Sequence, residues 1–207
     1  MNNTQPESRI KYWKYHSAAL SFEQAGKIAK QLMVTENNDP MLYPLTVSLH
    51  VLYSRPFKHQ KRSRNISTDL FHDNFNSMHE MLINLRDKIF AHNDKDSKVI
   101  DTETEVDLFQ LVVLVTETAI TPSLQTIFHS KSHLKKISEL CESLHKICME
   151  NADSVLKKEC LDACPEVGVY RVSTDFEGEI PLLIKSELSD EQSPLHLKET
   201  MRREPKE

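Results

Sequence analysis

Residues Phe71 to Asp94 read FHDNFNSMHEMLINLRDKIFAHND, the most periodic stretch of the chain. Phe71, Phe75, Met78, Leu82, Leu85 and Ile89 recur at spacings of four, three, four, three and four. That repeat follows the turn of an α-helix, so the segment is predicted to be a helix with one apolar seam. The next position of the repeat, three residues beyond Ile89, is His92. Asn93-Asp94 and the acidic, loop-like run to Glu105 then end the element.

Working outward, the chain supplies other helices for this seam to pack on. Glu7 to Met33 reads as helical through Ile10, Trp13 and Leu20, then Phe22, Ala25, Ile28 and Leu32. Ser21 followed three residues later by Gln24 is a capping-box pattern, so one helix is expected to end near Ser17 and another to begin at Ser21. Asn37-Asn38-Asp39-Pro40 is a turn. Pro40 to Ser54 carries the next helix through Leu42, Leu45, Leu49 and Leu52, with Pro44 tolerable in its first turn. Ser132 opens a further helix, with Leu134, Ile137, Cys141, Leu144 and Cys148 in a heptad, running to about Asp162.

Two segments read as β-structure. Residues 106–128 follow a Thr102/Glu105 capping pattern yet are rich in β-formers (Val112, Val113, Val115, Thr116, Thr118, Ile120, Thr121), which favours a short hairpin. Gly168 to Lys185 alternates like a small hairpin around Glu177-Gly178. From Ser186 to Glu207 the chain is polar and expected to be disordered. The fold class is therefore mainly α, a helical bundle with one or two small β-hairpins. Residues 1–163 form the helical domain, 164–185 a C-terminal hairpin extension and 186–207 a tail.

Composition excludes several function classes. A chain of 207 residues gives one domain with appendages. It contains only three glycines, Gly26, Gly168 and Gly178, so the glycine-rich cradles of dinucleotide and P-loop sites are ruled out. There is no G-x-S-x-G, H-E-x-x-H or zinc-finger spacing. The 26 basic and 31 acidic side chains leave a net charge of −5, so any anionic partner must be met by a local basic patch. No secretory signal is evident, and the longest apolar run, Leu111 to Val115, is far short of a membrane span. A soluble, cytoplasmic protein with no membrane partner is expected.

The four cysteines (Cys141, Cys148, Cys160, Cys164) lack C-x-x-C spacing and are expected to be reduced thiols. His129 and His133, four apart, resemble half a metal clamp, but no third ligand is evident, so no metal and no cofactor are expected. Tyr12, Trp13 and Tyr15 form an aromatic cluster of the kind that stacks bases, although Trp13 is assigned to the core. The patch that the net charge withholds is found at Arg55 to Arg64, where Arg55, Lys58, Lys61, Arg62 and Arg64 make a flexible basic loop able to face phosphates.

A cation, an imidazole and carboxylates meet on one element only in the helix ending Leu85-Arg86-Asp87-Lys88-Ile89-Phe90-Ala91-His92-Asn93-Asp94. Six residues at 100° each separate Arg86 from His92 by about 240°, so the two flank a groove instead of touching. A two-fold axis through the helix would bring two copies of each into one cleft. That set suits RNA cleavage without metal. An imidazole near neutral pKa activates the 2′-OH and protonates the leaving 5′-oxygen, while a guanidinium holds charge developing on phosphorus.

The Arg-Asp-x-x-x-x-His spacing, within Met78-His79-Glu80-Met81-Leu82-Ile83-Asn84-Leu85-Arg86-Asp87-Lys88-Ile89-Phe90-Ala91-His92-Asn93-Asp94, resembles the signature of the HEPN superfamily. The preceding Tyr53-Ser54-Arg55-Pro56-Phe57 resembles a bacterial branch that includes abortive-infection proteins. The resemblance covers roughly residues 10–160 and is specific over about forty of them. It implies a small α-helical bundle that dimerises through the motif helix and acts as a metal-independent endoribonuclease, in toxin or antiviral phage-defence roles. It matches Arg86 and His92 to the catalytic pair and Asp87 to the polar residue after the arginine. Partners implied are RNA, a second copy of the chain and an antitoxin protein. HEPN toxins paired with nucleotidyltransferase antitoxins usually carry a tyrosine two residues after the histidine. Here that position is Asp94, so AMP-modification is not expected. The alternative the resemblance leaves is a non-catalytic, dimeric RNA- or protein-binding module.

Overall fold

Small side chains decide how the first helix packs. In the computed structural model α1 spans Pro6–Val34 and buries Ala18, Ala19, Ala25 and Ala29 together with Phe22 and Leu32. Residues 6–58, 65–70, 75–87, 100–101, 106–107, 111–124, 129–161, 166, 168, 170–173 and 181–185 are described. The four long helices among the described residues are α1, α2 (Leu42–Ser54), α3 (Asn76–Leu85) and α4 (Lys131–Val155). A Cβ placed at Gly26 would lie 3.3 Å from the Cβ of Cys141, so α1 and α4 approach closely at a point where only glycine fits without adjustment.

α1 runs unbroken through Ser17 and Ser21, against the expected division into two helices. The Ser21 hydroxyl donates to the Ser17 carbonyl one turn back, at 2.9 Å, instead of capping a new N-terminus. The continuous buried face through Ala18, Phe22, Ala25 and Ala29 overrides the local capping signal. Nearby, Tyr12 is buried and stacks on His16, whereas Trp13 is only half-buried, which reverses their expected roles.

The turn before α2 forms as its sequence suggests, with the Asp39 carboxylate accepting the Met41 N–H at 2.7 Å. The α2 helix passes directly into a 3₁₀ turn at Arg55–Phe57 with Pro56 in its first positions, where its missing N–H costs nothing. A second 3₁₀ turn covers Thr68–Leu70. In α3 the seam residues Met78, Leu82 and Leu85 are buried, while Phe71 and Ile89 lie outside the described residues. All five heptad positions of α4 are buried.

One core joins these helices within the unit Lys11–Asp153, with Phe22, Leu49, Tyr53, Leu82, Ile137, Leu140 and Leu144 at its centre. The antiparallel hairpin β3 (Leu111–Val115) and β4 (Ile120–Leu124) pairs Val115 with Ile120 beside its turn and falls inside the segment where a hairpin is expected. Ahead of it, β1 (Ile100–Asp101) and β2 (Val106–Asp107) form a two-residue ladder, so part of the run read as loop is extended and paired.

A second unit comprises Met1–Ile10 and Ser154–Glu207. There, helical structure continues from α4 through a π-type turn at Leu156–Cys160, close to the expected end. The Ser8 hydroxyl donates to Glu159 at 3.3 Å, and Arg9 is almost wholly buried. A third ribbon pairs β5 (Tyr170–Val172) with β6 (Leu183–Lys185), as the alternation predicts. The tail from Ser186 lies outside the described residues. No helix among the described residues is long and apolar enough to cross a membrane.

Leu82 is fully buried in the core, and truncating such a side chain removes its burial energy and leaves a cavity. Leu82→Ala is expected to lower unfolding stability by about 2–5 kcal/mol in urea denaturation. Val115→Ala, at a position 67% exposed, is expected to change it by no more than about 0.5 kcal/mol.

Candidate functional site

Arg86 and Asp87 follow α3 directly, and the Arg86 N–H is shared between the carbonyls of Leu82 and Ile83. The chain opens there into a wider π-type turn, a local irregularity often found where a helix presents functional groups. Arg86 Nη1 donates to Asp87 Oδ1 at 2.8 Å. The other carboxylate oxygen of Asp87 accepts from Lys58 Nζ. Two cations, 28 residues apart in sequence, therefore converge on one carboxylate at the end of the motif helix. Their side chains are each about one-third exposed, so the trio faces solvent.

Ion pairs this exposed are worth at most about 1 kcal/mol each, so the scaffold must position them. It does so through Phe57, the residue before Lys58. The Phe57 ring lies 5.7 Å from Phe22 and 5.7 Å from Tyr53, centroid to centroid, which ties the 3₁₀ turn to the core. The buried Ile66 closes the segment by donating its N–H to the Pro56 carbonyl at 3.0 Å. The start of the basic segment is thus anchored, contrary to the expectation of a loop flexible throughout. Arg55 is exposed in the same turn. Lys61, Arg62 and Arg64 lie outside the described residues, as does His92.

Burial pushes the Asp87 carboxyl up, but hydrogen bonds from Lys58 and Arg86, with their charges, outweigh that and hold it below the ordinary aspartate value. The carboxylate stays ionised at neutral pH, so the trio carries two positive charges and one negative.

The sequence reading missed a third participant. His79 Nδ1 lies 2.9 Å from the Tyr53 hydroxyl, and the His79 ring meets Phe57 edge-on at 4.7 Å. Burial, and then the charge of Lys58, lower its pKa to about 4, so the imidazole is neutral at pH 7. The signal was present in the spacing, because seven residues bring His79 to within about 20° of Arg86 around the helix.

A second imidazole group lies elsewhere in the same unit, with His50 and His133 buried and His129 half-buried. His50 Nε2 lies 2.9 Å from His129 Nε2, and His133 stands 6.3 Å from His129 between ring centroids. The His129/His133 pair therefore has a third histidine beside it that sequence spacing did not reveal. Burial, then the neighbouring His129, hold His50 well below its ordinary value, while the Leu82 carbonyl, 3.4 Å from Nδ1, acts the other way. Among the described residues no group of three or more His, Cys, Asp or Glu side chains is arranged to hold a metal ion.

Cys141 and Cys148 are buried free thiols, and Cys160 is buried as well. Burial pushes Cys141 up to about 12 and Cys148 up to about 11, which leaves neither as a thiolate nucleophile at neutral pH. A cleft of about 130 Å³ between α1 and α4 is rimmed by the ion pair of Lys30 with Glu142, and its floor is largely apolar.

Comparison with protein-family models, with curated proteins and with solved structures returns no match in any of the three. The geometry of the site sets what it can do. It offers a lysine and an arginine on an exposed helix end, kept at fixed spacing by a shared carboxylate, with a neutral histidine along the same face.

If Lys58 depresses His79 as its proximity implies, an NMR titration will show His79 titrating near pH 4, and Lys58→Met will raise that midpoint toward the ordinary value of about 6.5. A midpoint that Lys58→Met leaves unmoved would place the lysine elsewhere.

Proposed function

We propose that the chain is a HEPN-like, metal-independent endoribonuclease of toxin or phage-defence type, active in the cytoplasm as a homodimer and restrained by an antitoxin protein. The observation that carries this reading is the meeting of Lys58, from the basic segment, with Arg86, from the motif, on the carboxylate of Asp87. A chain with net charge −5 here gathers a local excess of positive charge, as binding of a phosphate backbone requires.

In the proposed reaction Arg86 binds a non-bridging oxygen of the scissile phosphate. One guanidinium N–H is engaged by Asp87, and the planar fork has further donors to offer. Asp87 fixes the direction of both cations. His92 takes the proton of the 2′-hydroxyl as that oxygen attacks phosphorus. The bond to the 5′-oxygen breaks, and that oxygen receives a proton from a histidine, with His92 of the second copy available for the role. The products are a 2′,3′-cyclic phosphate and a 5′-hydroxyl, and no metal or cofactor enters the balance. Lys58 and Arg55, with Lys61, Arg62 and Arg64, draw in the strand.

Dimerisation through the motif helix has to use the end of α3, since Met78, Leu82 and Leu85 already pack inside their own chain. The exposed Asn76, Ser77, Glu80 and Asn84 leave the rest of its outer face polar.

The test is incubation of the pure protein with total cellular RNA in the presence of a chelator. Cleavage is expected in the wild type, with a fall of about 10²–10³-fold in Arg86→Ala and about 10²–10⁴-fold in His92→Ala while dimerisation persists. Salt-dependent RNA binding without cleavage would favour the non-catalytic module, and the absence of both would remove RNA from the account.

A further inference from the structure

His79 lies outside the Arg86–His92 motif, yet it shares a face with Arg86. Seven residues of helix set the two about 10 Å apart along the axis and about 20° apart around it. Lys58 is linked to both ends. Its backbone follows Phe57, whose ring stands edge-on to His79, and its ammonium group ends on Asp87. Helical spacing therefore sets His79 and the Lys58–Arg86 pair one after the other along α3. A row of this kind matches a series of charges at intervals better than it matches one small anion.

We propose that a single nucleic-acid strand lies lengthwise along this row, with one phosphate at Arg86 and Lys58 and a neighbouring phosphate at His79, which takes up a proton as the strand binds. This rests on the RNA-handling reading and extends it from one phosphate to a stretch of backbone. The physical reason for proton uptake is local. His79 is half-buried and sits beside a lysine, and both conditions oppose the imidazolium. The phosphate at His79 supplies a counter-charge to the imidazolium, and the one at Lys58 offsets the second condition. The Tyr53 hydroxyl can donate or accept, so its hydrogen bond to Nδ1 is compatible with either protonation state.

The titratable and charged groups that act on it include Tyr53 from α2 and Lys58 after the 3₁₀ turn, and Arg86 and Asp87 follow at the end of its own helix. Glu80 beside it is exposed. Burial raises the Tyr53 phenol further above its ordinary value, and Asp87 is held below the ordinary carboxylate range. Neither changes charge between pH 5 and 7.5.

The experiment uses the full chain and a 2′-O-methyl oligouridylate of eight nucleotides, which lacks the attacking hydroxyl and has bases that do not protonate in this range. His79 is followed by NMR with and without the strand, and affinity is measured at pH 5 and pH 7.5 at low salt. The expected result is an upward move of the His79 midpoint by a unit or more. If it rises from about 4 to about 5.5, linkage through His79 contributes about a fourfold tightening at pH 5 relative to pH 7.5, and His79→Gln removes that fourfold factor. Inorganic phosphate at millimolar concentration is expected to move His79 far less, and an equal shift would overturn the lengthwise strand. Strand binding with an unmoved His79, or no strand binding at either pH, would also overturn the proposal. Cleavage of natural RNA is scored separately. Cleavage with an unmoved His79 defeats this inference alone, whereas a proton-linked strand without cleavage defeats the nuclease reading alone.

Discussion

Phe57 connects the interior of this protein to its surface chemistry. Its ring is held by Phe22 of α1 and Tyr53 of α2 and stands against His79 of α3, so three helices fix one aromatic side chain. The next residue is Lys58, which therefore leaves the core from a set position and reaches Asp87. Exposed ion pairs of this kind contribute little to stability. Their geometry follows from the packing of apolar groups beneath them, and truncating a buried aromatic in such a cluster typically costs about 3–5 kcal/mol.

Electrostatics then does locally what composition does not do globally. The chain is acidic by five charges, yet at the end of α3 two cations surround one carboxylate. Asp87 has a double effect. It reduces the net positive charge, and it keeps Lys58 and Arg86 from swinging away into solvent. A carboxylate with depressed pKa does this over the whole neutral range, because it loses its charge only in acid below the ordinary aspartate value.

Periodicity carried most of the fold. The seam Met78–Leu82–Leu85 and the α4 heptad are where spacing puts them, since burial on one face is a local property of sequence. The pairing of 170–172 with 183–185 follows the alternation there, and the hairpin at 111–124 follows its β-formers. The errors arose where tertiary packing outweighed a local signal. Ser21 carries a capping pattern, but the alanine face on either side of it is buried in one piece. The site was legible only in part. Arg86 and Asp87 are neighbours and were found together, and Lys58 was found as one member of a basic run. Their meeting depends on how α2 folds back against α3, which no spacing within either segment encodes. His50, brought to 2.9 Å from His129 across 79 residues, escaped notice for the same reason. His79 is legible from helical arithmetic, although it sits outside the Arg-Asp-x-x-x-x-His spacing.

The most direct measurement of this arrangement is the titration of the Asp87 side-chain carboxyl carbon by NMR, in the wild type and in a Lys58→Met/Arg86→Met double variant. With both cations in place, the midpoint is expected below the ordinary aspartate value of about 3.9. With both removed, burial is left to act alone and the midpoint is expected above it. An ordinary midpoint in the wild type, unchanged by the two substitutions, would mean that Lys58 and Arg86 do not converge on this carboxylate, and the account of the site built on them would fail.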